Sequence, residues 1–433
     1  MKRRRVLYVD NFNNFDFYLQ LAKSSEFLEF RFIVFSKVKY YKCILNGIQC
    51  NLFKCQSVWN FKWLGIAKKN IDISIKNDRL LRFLPRFVTK PLMAGYAIQF
   101  LKVLDEFKPS VVLGEISWSM EYIFYMICEV QGIRYRHILN LPLNRVKAVA
   151  FDAEHSIGSL EECRDIKCDY SYRMSYADLC QKVKEYYSAR KKHVLSASSS
   201  DYREFKLLWM VSSFHYWLSK LLYGTAYKLF ASKYSQVSDI SSKRIIYFPL
   251  HVQPESTPDY VSPFYANQLT LLKRISVALG DDYVLLAKEH PNKFSARSVT
   301  QLISALRHEN IYFIRAEESS ALLLKQCEAV MTVAGTTALE ATAIGKPAVT
   351  FSNIFYNAFS GVVDGRKYLE DGKLQELMMN LTVNKMVEDI PAGLAEYGVE
   401  GFVHDPRIFP LVTDSENIDA ICELVLRICE LEG

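Results

Sequence analysis

Three short apolar runs in the C-terminal half constrain the fold of this chain more than any other feature. Ile245-Ile246-Tyr247-Phe248-Pro249-Leu250 leads into His251-Val252-Gln253-Pro254-Glu255. Tyr283-Val284-Leu285-Leu286-Ala287-Lys288-Glu289 leads into His290-Pro291. Ala329-Val330-Met331-Thr332-Val333 leads into Ala334-Gly335-Thr336-Thr337-Ala338-Leu339-Glu340-Ala341. Short apolar runs closed by turn signals read as buried strands of a parallel sheet. In such sheets ligands sit beyond the carboxyl ends of the strands. Three such ends, within about a hundred residues of one another, point to one site.

The residue types at those ends suit a nucleotide phosphate. Gly335 permits a tight turn. Thr336 or Thr337 then caps a helix that Gly345-Lys346-Pro347 stops, and Ala348-Val349-Thr350-Phe351 starts the next strand. A helix N-terminus offers unpaired N–H groups and the positive end of the helix dipole, so it receives phosphate without a metal. Glu340, in the first turns, is placed to accept from ribose hydroxyls; it equally suits a capping box with Thr336 or Thr337. His290 follows the cation Lys288 and is fixed by Pro291, and an imidazole can donate to a phosphate oxygen.

The stretch from Phe248 to Glu255, Lys288-Glu289-His290-Pro291, and Gly335 to Ala341 with Gly345-Lys346-Pro347 together resemble the bacterial capsule polysaccharide synthesis glycosyltransferases. That group includes transferases of CMP-linked 3-deoxy-octulosonate (Kdo). The His-Pro loop followed by a hydroxyl-rich loop is also similar to CMP-sialic acid transferases of the GT-B fold. The likeness covers roughly residues 244 to 357 and, more weakly, 110 to 151. It implies an α/β, GT-B-like architecture of two Rossmann-like domains facing a cleft, with a helical insert and a C-terminal crossover helix. The expected boundaries are an acceptor-side domain over 1–151, an insert and linker over 152–242, a nucleotide-sugar domain over 243–410, and a returning helix over 411–433. Gln253, Lys288, His290, Pro291, Gly335, Thr336, Thr337 and Glu340 are the expected nucleotide-binding residues.

The N-terminal half opens as a second α/β domain. Val6-Leu7-Tyr8-Val9 reads as a buried strand, Asn11 to Asn14 as a polar loop, Phe15 to Ala22 as a helix, and Arg31 to Phe35 as a strand. In a GT-B enzyme the first such loop lines the acceptor cleft, which makes Asp10, Asn11 and Asn14 acceptor-site candidates. Tyr96 to Phe107 reads as a helix, and Ser110 to Leu113 as a strand leading into Gly114-Glu115. A helix follows from Trp118 through Val130. Glu115 stands where such folds place catalytic groups, and a carboxylate there can take a proton from an acceptor hydroxyl; it also suits a helix cap near Ser117. Glu121 reads as structural. Arg145 and Lys147 suit phosphates or solvent equally.

Composition narrows the class. The ten cysteines include no Cys-x-x-Cys pair, so they read as reduced core residues of a cytoplasmic protein, with no zinc site. The basic start, Met1-Lys2-Arg3-Arg4-Arg5, leads straight into a strand and carries no signal-peptide apolar segment. A net charge of +7 is too small an excess to argue for nucleic acid, but it suits an anionic inner-membrane surface or a lipid-linked acceptor. Residues 205 to 234 are apolar, with His215 and Lys220 inside the run, which argues against a membrane span. A buried helix pair broken near Gly224 is the preferred reading, and an interfacial amphipathic segment the other. Ile418, Ile421, Val425, Leu426 and Ile428 mark an amphipathic final helix.

No Asp-x-Asp motif is present to hold a metal–diphosphate. A single phosphate leaving from a CMP-sugar could instead be stabilised by fixed donors, including His290 and Thr336 or Thr337. The expectation is a metal-independent glycosyltransferase without a cofactor. It would move Kdo or a related acidic sugar from a CMP-sugar to a glycan or lipid-linked saccharide, with Glu115, His290 and Glu255 as catalytic candidates. A nucleotide-sugar 2-epimerase-like isomerase and a non-catalytic scaffold of a capsule assembly complex are the alternatives. The first is separable by acceptor-free turnover, the second by absence of nucleotide binding.

Overall fold

The computed structural model describes residues 3–10, 14–63, 65–78, 81–140, 147–152, 206–232, 234, 243–253, 257–290, 295–359, 361–381, 398–404, 406 and 409–431. The chain divides into two compact units. One comprises Met1–Lys76, Leu84–Met210 and Glu396–Gly433; the other comprises Asn77–Phe83 and Val211–Ala395.

The first unit contains β1 (Arg4–Val9), α1 (Phe15–Ser24), β2 (Leu28–Val34), α2 (Lys37–Leu45), β3 (Gln49–Leu52), α3 (Lys68–Asn77, except its last residue), α4 (Arg86–Phe107), β4 (Val111–Leu113), α5 (Ser119–Gln131), β5 (Tyr135–Asn140) and β6 (Lys147–Asp152). Its sheet runs β6-β5-β4-β1-β2-β3, with the chain's last strand, Val399–Glu400, outside β6. β1 to β5 pair in parallel, while β6 and the last strand are antiparallel. Val6, Leu7 and Val9 are fully buried, as expected where helices cover both faces of a parallel sheet. The final helix, Ser415–Leu431, turns Ile418, Ile421, Val425 and Ile428 into the core that holds Phe17, Leu21, Phe32 and Val34. Each of those four side chains contributes about 2 kcal/mol relative to exposure.

The second unit contains α6 (Lys206–Phe230, from Val211 onward), β7 (Arg244–Pro249), α7 (Gln268–Leu279), β8 (Tyr283–Lys288), α8 (Val299–Ala305), β9 (Ile311–Ile314), α9 (Ser320–Gln326), β10 (Ala329–Thr332), α10 (Thr337–Ala343), β11 (Ala348–Thr350), β12 (Val362–Asp364), α11 (Arg366–Glu370) and α12 (Leu374–Asn380). All six strands are parallel, in the order β9-β8-β7-β10-β11-β12. This is the doubly wound order, and the winding reverses between β7 and β10. The first unit has the same reversal between β1 and β4.

Two expectations change. The apolar run over 205–234 is not a helix pair: α6 continues through Gly224 as one helix. Nor is it buried all round. Tyr223 and Tyr227 face the unit, while Phe214, Trp217 and Leu221 are exposed. The helix expected from Tyr96 begins at Arg86, after Pro85, whose extended backbone sets its start. Most of the expected insert, residues 153–205, lies outside the described residues.

Candidate functional site

The two points where the winding reverses collect most of the candidate residues. In a doubly wound sheet the strand ends diverge there and leave a crevice that a ligand can enter.

In the second unit His251 lies two residues beyond β7. Its ring reaches across to the end of β10, where Nε2 accepts from the Ala334 N–H at 3.1 Å and pairs with Thr332 Oγ1 at 3.2 Å. The Gly335 N–H donates to Thr332 Oγ1 at 3.1 Å. An amide can only donate, so Nε2 carries no proton and the neutral ring holds its hydrogen on Nδ1. The Thr332 hydroxyl therefore donates to Nε2 while accepting from Gly335. Burial first, and the positive Arg297 second, pull the His251 pKa down to about 4, which keeps the ring uncharged at neutral pH. A Cβ on Gly335 would stand 2.7 Å from Thr332 Oγ1, closer than contact allows, so only glycine fits this approach.

These bonds revise the expected role of the turn. The Gly335 N–H is spent on Thr332, which leaves the Thr336 and Thr337 hydroxyls as the turn's donors toward a ligand. Thr336 is exposed and makes no capping bond, and Thr337 is half-buried. The capping box with Glu340 is therefore not formed. Glu340 is exposed on the first turn, and partial burial of its carboxyl raises its pKa. α10 spans seven residues, about two turns, so its end charge is smaller than that of a long helix.

Beneath the turn lies a buried polar network. Arg297 pairs with Glu289 at 2.7 Å, with both side chains nearly inaccessible. Burial alone would lower the guanidinium pKa, but the adjacent carboxylate more than offsets it and the net shift is upward. Arg297 also donates to the His251 C=O and to Gln253 Oε1. Tyr223 of α6 donates to Glu289 at 2.9 Å. Gln253 donates to Asp259 at 2.6 Å and to the Ala266 C=O at 2.8 Å, and accepts from Gln268 at 3.0 Å.

Two of the expected nucleotide ligands have inward partners in this structure. Both amide hydrogens and both acceptor positions of Gln253 are engaged within this network, so it shapes the loop after β7 instead of meeting a ligand. Lys288 is buried, and its ammonium donates to the Ala316 C=O at 3.1 Å and the Glu289 C=O at 3.4 Å. Burial lowers its pKa, and Glu317, Glu289 and Glu318 oppose that shift. It braces the loop after β9. That loop lines a cavity of about 550 Å³ with Tyr227, Lys228, Ala231, Arg315, Glu317, Glu318 and Ser319. His290 stands exposed at the end of β8. Pro291 and Glu255 lie outside the described residues, as do Asn11 and Arg145, and the Lys147 side chain is not described.

In the first unit Asp10 and Glu115 follow β1 and β4. Asp10 is fully buried and ion-paired with Lys39 at 2.9 Å, which commits it to structure. Asn14 precedes α1 and makes no side-chain cap bond. Glu115 is half-buried, close enough to Tyr8, Tyr18, Tyr135 and His137 for its charge to act on all four. Burial first and Glu115 among the further causes raise the three phenols, which remain neutral donors. Burial lowers the His137 imidazole, and Glu115 partly opposes this. The cap of α5 is made by Glu121, which accepts from the Trp118 N–H at 3.0 Å and from the Ser117 N–H. Glu115 is thus not the residue that caps this helix. A Cβ on Gly114 would lie 2.6 Å from the Tyr135 hydroxyl, so glycine makes the room beside Glu115.

Sequence reasoning missed His251 as the tie between strand ends, and missed Arg297 and Glu289. The one signal for His251 was its place directly after the first strand of the doubly wound order. Arg297 comes from a loop whose fold partner is eight residues away in sequence, and no local pattern marks it. Among the described residues no group of three His, Cys, Asp or Glu side chains lies close enough to hold a metal ion.

No curated protein sequence matches the chain. Among solved structures it is similar to a putative UDP-N-acetylglucosamine 2-epimerase from Listeria monocytogenes, at 11% identity, covering 91% of this chain and 95% of that one, with a TM-score of 0.28. It is similar to the UDP-GlcNAc 2-epimerase of Neisseria meningitidis bound to UDP-GlcNAc, at 12% identity, 100% of both chains and a TM-score of 0.24. It is also similar to KpsC, the beta Kdo 2,7 transferase of Thermosulfurimonas dismutans, at 14% identity, 69% of this chain and 81% of that one, with a TM-score of 0.30. The family model of the capsule polysaccharide biosynthesis proteins matches residues 125–378, more than half of the chain, and the chain belongs to that family.

Proposed function

We propose that this chain is a metal-independent glycosyltransferase of surface-polysaccharide assembly. It moves Kdo or a related acidic sugar from a CMP-sugar to a glycan or lipid-linked acceptor. The observation that carries the reading is the switch point of the second unit, inside the family match. There a neutral His251 fixes a Gly-Thr-Thr turn whose two hydroxyls are not used for capping.

In this reading the donor phosphate lies against Thr336 and Thr337, with His290 donating from the end of β8. These donors are set before reaction, so they stabilise charge on the departing CMP without reorganisation. Glu340 would accept from the ribose. Glu115 would take the acceptor proton, since Glu121 already serves as helix cap.

A thermal-shift screen with CMP, CDP, UDP and GDP tests the donor, because a ligand at a hundred times its Kd stabilises by about 2.7 kcal/mol. CMP should give the largest shift. A strong UDP shift with none from CMP would overturn the donor, and no shift from any nucleotide would overturn the enzyme reading. Turnover of the UDP-sugar without acceptor would identify an isomerase instead.

A further inference from the structure

Helix α6 carries its amphipathic pattern inverted. The side chains that face the unit are tyrosines with polar handles: Tyr223 donates to Glu289, and Tyr227 donates to the Ile314 C=O at 2.6 Å. The side chains that face outward are mostly apolar, with Thr225 and Lys228 among them. Phe214, Trp217, Leu218, Leu221, Leu222 and Leu229 are between 42% and 76% exposed. At about 100° per residue they occupy one sector of about 140°, the width of a core-facing stripe. Here that stripe points away from the core.

The charge on this helix has one sign. From Lys206 to Phe230 there are three lysines and no aspartate or glutamate. Lys228 is exposed within the apolar sector. The Lys220 ammonium lies 5.0 Å from the Trp217 ring centroid, so cation and aromatic are held together at one border of the stripe. Tryptophan and leucine on one face with lysine beside them suit the boundary between headgroups and acyl chains. The basic complement matches anionic lipid. A second copy of the chain is a poorer occupant, since it would present lysines to lysines across the contact. No helix among the described residues is long and apolar enough to cross a membrane, so the helix would lie in the interface plane.

We infer that the exposed face of α6 docks the protein onto the surface of an anionic phospholipid bilayer. This goes beyond the proposed reaction and does not depend on it. The end of the same helix, through Tyr227 and Lys228, lines the cavity beyond β9, as does Ala231 just after it. Docking would therefore hold that cavity within a helix width of the lipid.

The test is co-sedimentation of the full chain with vesicles of phosphatidylcholine alone, and of phosphatidylcholine with phosphatidylglycerol, at low salt. The chain should partition onto the anionic vesicles at least tenfold more strongly than onto the neutral ones. The double variant Leu221→Gln, Leu222→Gln should lose about tenfold of that partition, with its far-UV spectrum unchanged. Lys220→Glu should reduce the preference for the anionic vesicles. Equal binding of both vesicle types, no binding to either, or undiminished binding by both variants would overturn the inference. So would light scattering that shows a dimer abolished by the Leu221, Leu222 variant, which would assign the face to self-association.

Discussion

The neutral imidazole of His251 makes the stability of the protein sensitive to acid by an amount that can be worked out. Folded, the ring titrates at about 4 against an ordinary 6.5. Protonation would place an N–H against the Ala334 N–H, so the folded state resists it. The folded pKa is depressed, so the stabilisation is complete above 6.5 and is lost as pH falls toward 4. At pH 5 the unfolded ring is about 97% protonated and the folded ring about a tenth so, and integrating the linkage gives a loss of about 2 kcal/mol relative to pH 8. His251→Gln removes the titration and can still present a carbonyl oxygen to Ala334. Urea unfolding of both proteins at pH 8 and pH 5 isolates the effect, since every other group titrates alike in the two. The wild type should lose about 2 kcal/mol more than the variant between these pH values. Equal losses would refute both the tautomer and the tie between β7 and β10.

Four further outcomes follow from the same geometry. Gly335→Ala, with its Cβ 2.7 Å from Thr332 Oγ1, should destabilise by about 1–3 kcal/mol in urea unfolding and weaken nucleotide binding in the thermal-shift screen. Arg297→Leu leaves Glu289 buried without its cation and should cost about 3–5 kcal/mol; Glu289→Gln in the same chain should restore part of it, which denaturation would reveal. Glu115→Gln should lower turnover by about a hundredfold with nucleotide affinity unchanged, and near-normal turnover would remove Glu115 from the chemistry. His290→Ala should weaken both CMP binding and turnover, because a phosphate contact acts in ground and transition states alike; calorimetry beside a rate assay distinguishes it from Glu115→Gln.

The strands and the glycines between them were legible in the sequence. β7, β8 and β10 begin or end within a residue of the apolar runs, because a strand buried on both faces must be continuously apolar. The Gly335 turn was legible for a similar reason, since a glycine between a strand and a hydroxyl-led helix has few other uses. The final helix was legible from its 3.6-residue period, and its Ile and Val side chains are the ones buried.

Which polar side chains meet follows from long-range packing and was not legible in the sequence. Gln253, after β7, and Lys288, at the end of β8, stand at the expected strand ends but turn inward, where Gln253 bonds to Asp259 and Arg297 and Lys288 to the Ala316 C=O. The sequence left Glu115 open between catalysis and capping α5, and the backbone bonds to Glu121 show that Glu121 makes the cap. The α6 face was undecided for the same reason. An apolar helix reads alike whether its stripe is buried or exposed, and here tyrosines bonded to Glu289 and Ile314 took the inner side. Periodicity reports what a side chain can bury, whereas long-range hydrogen bonding decides which way it faces.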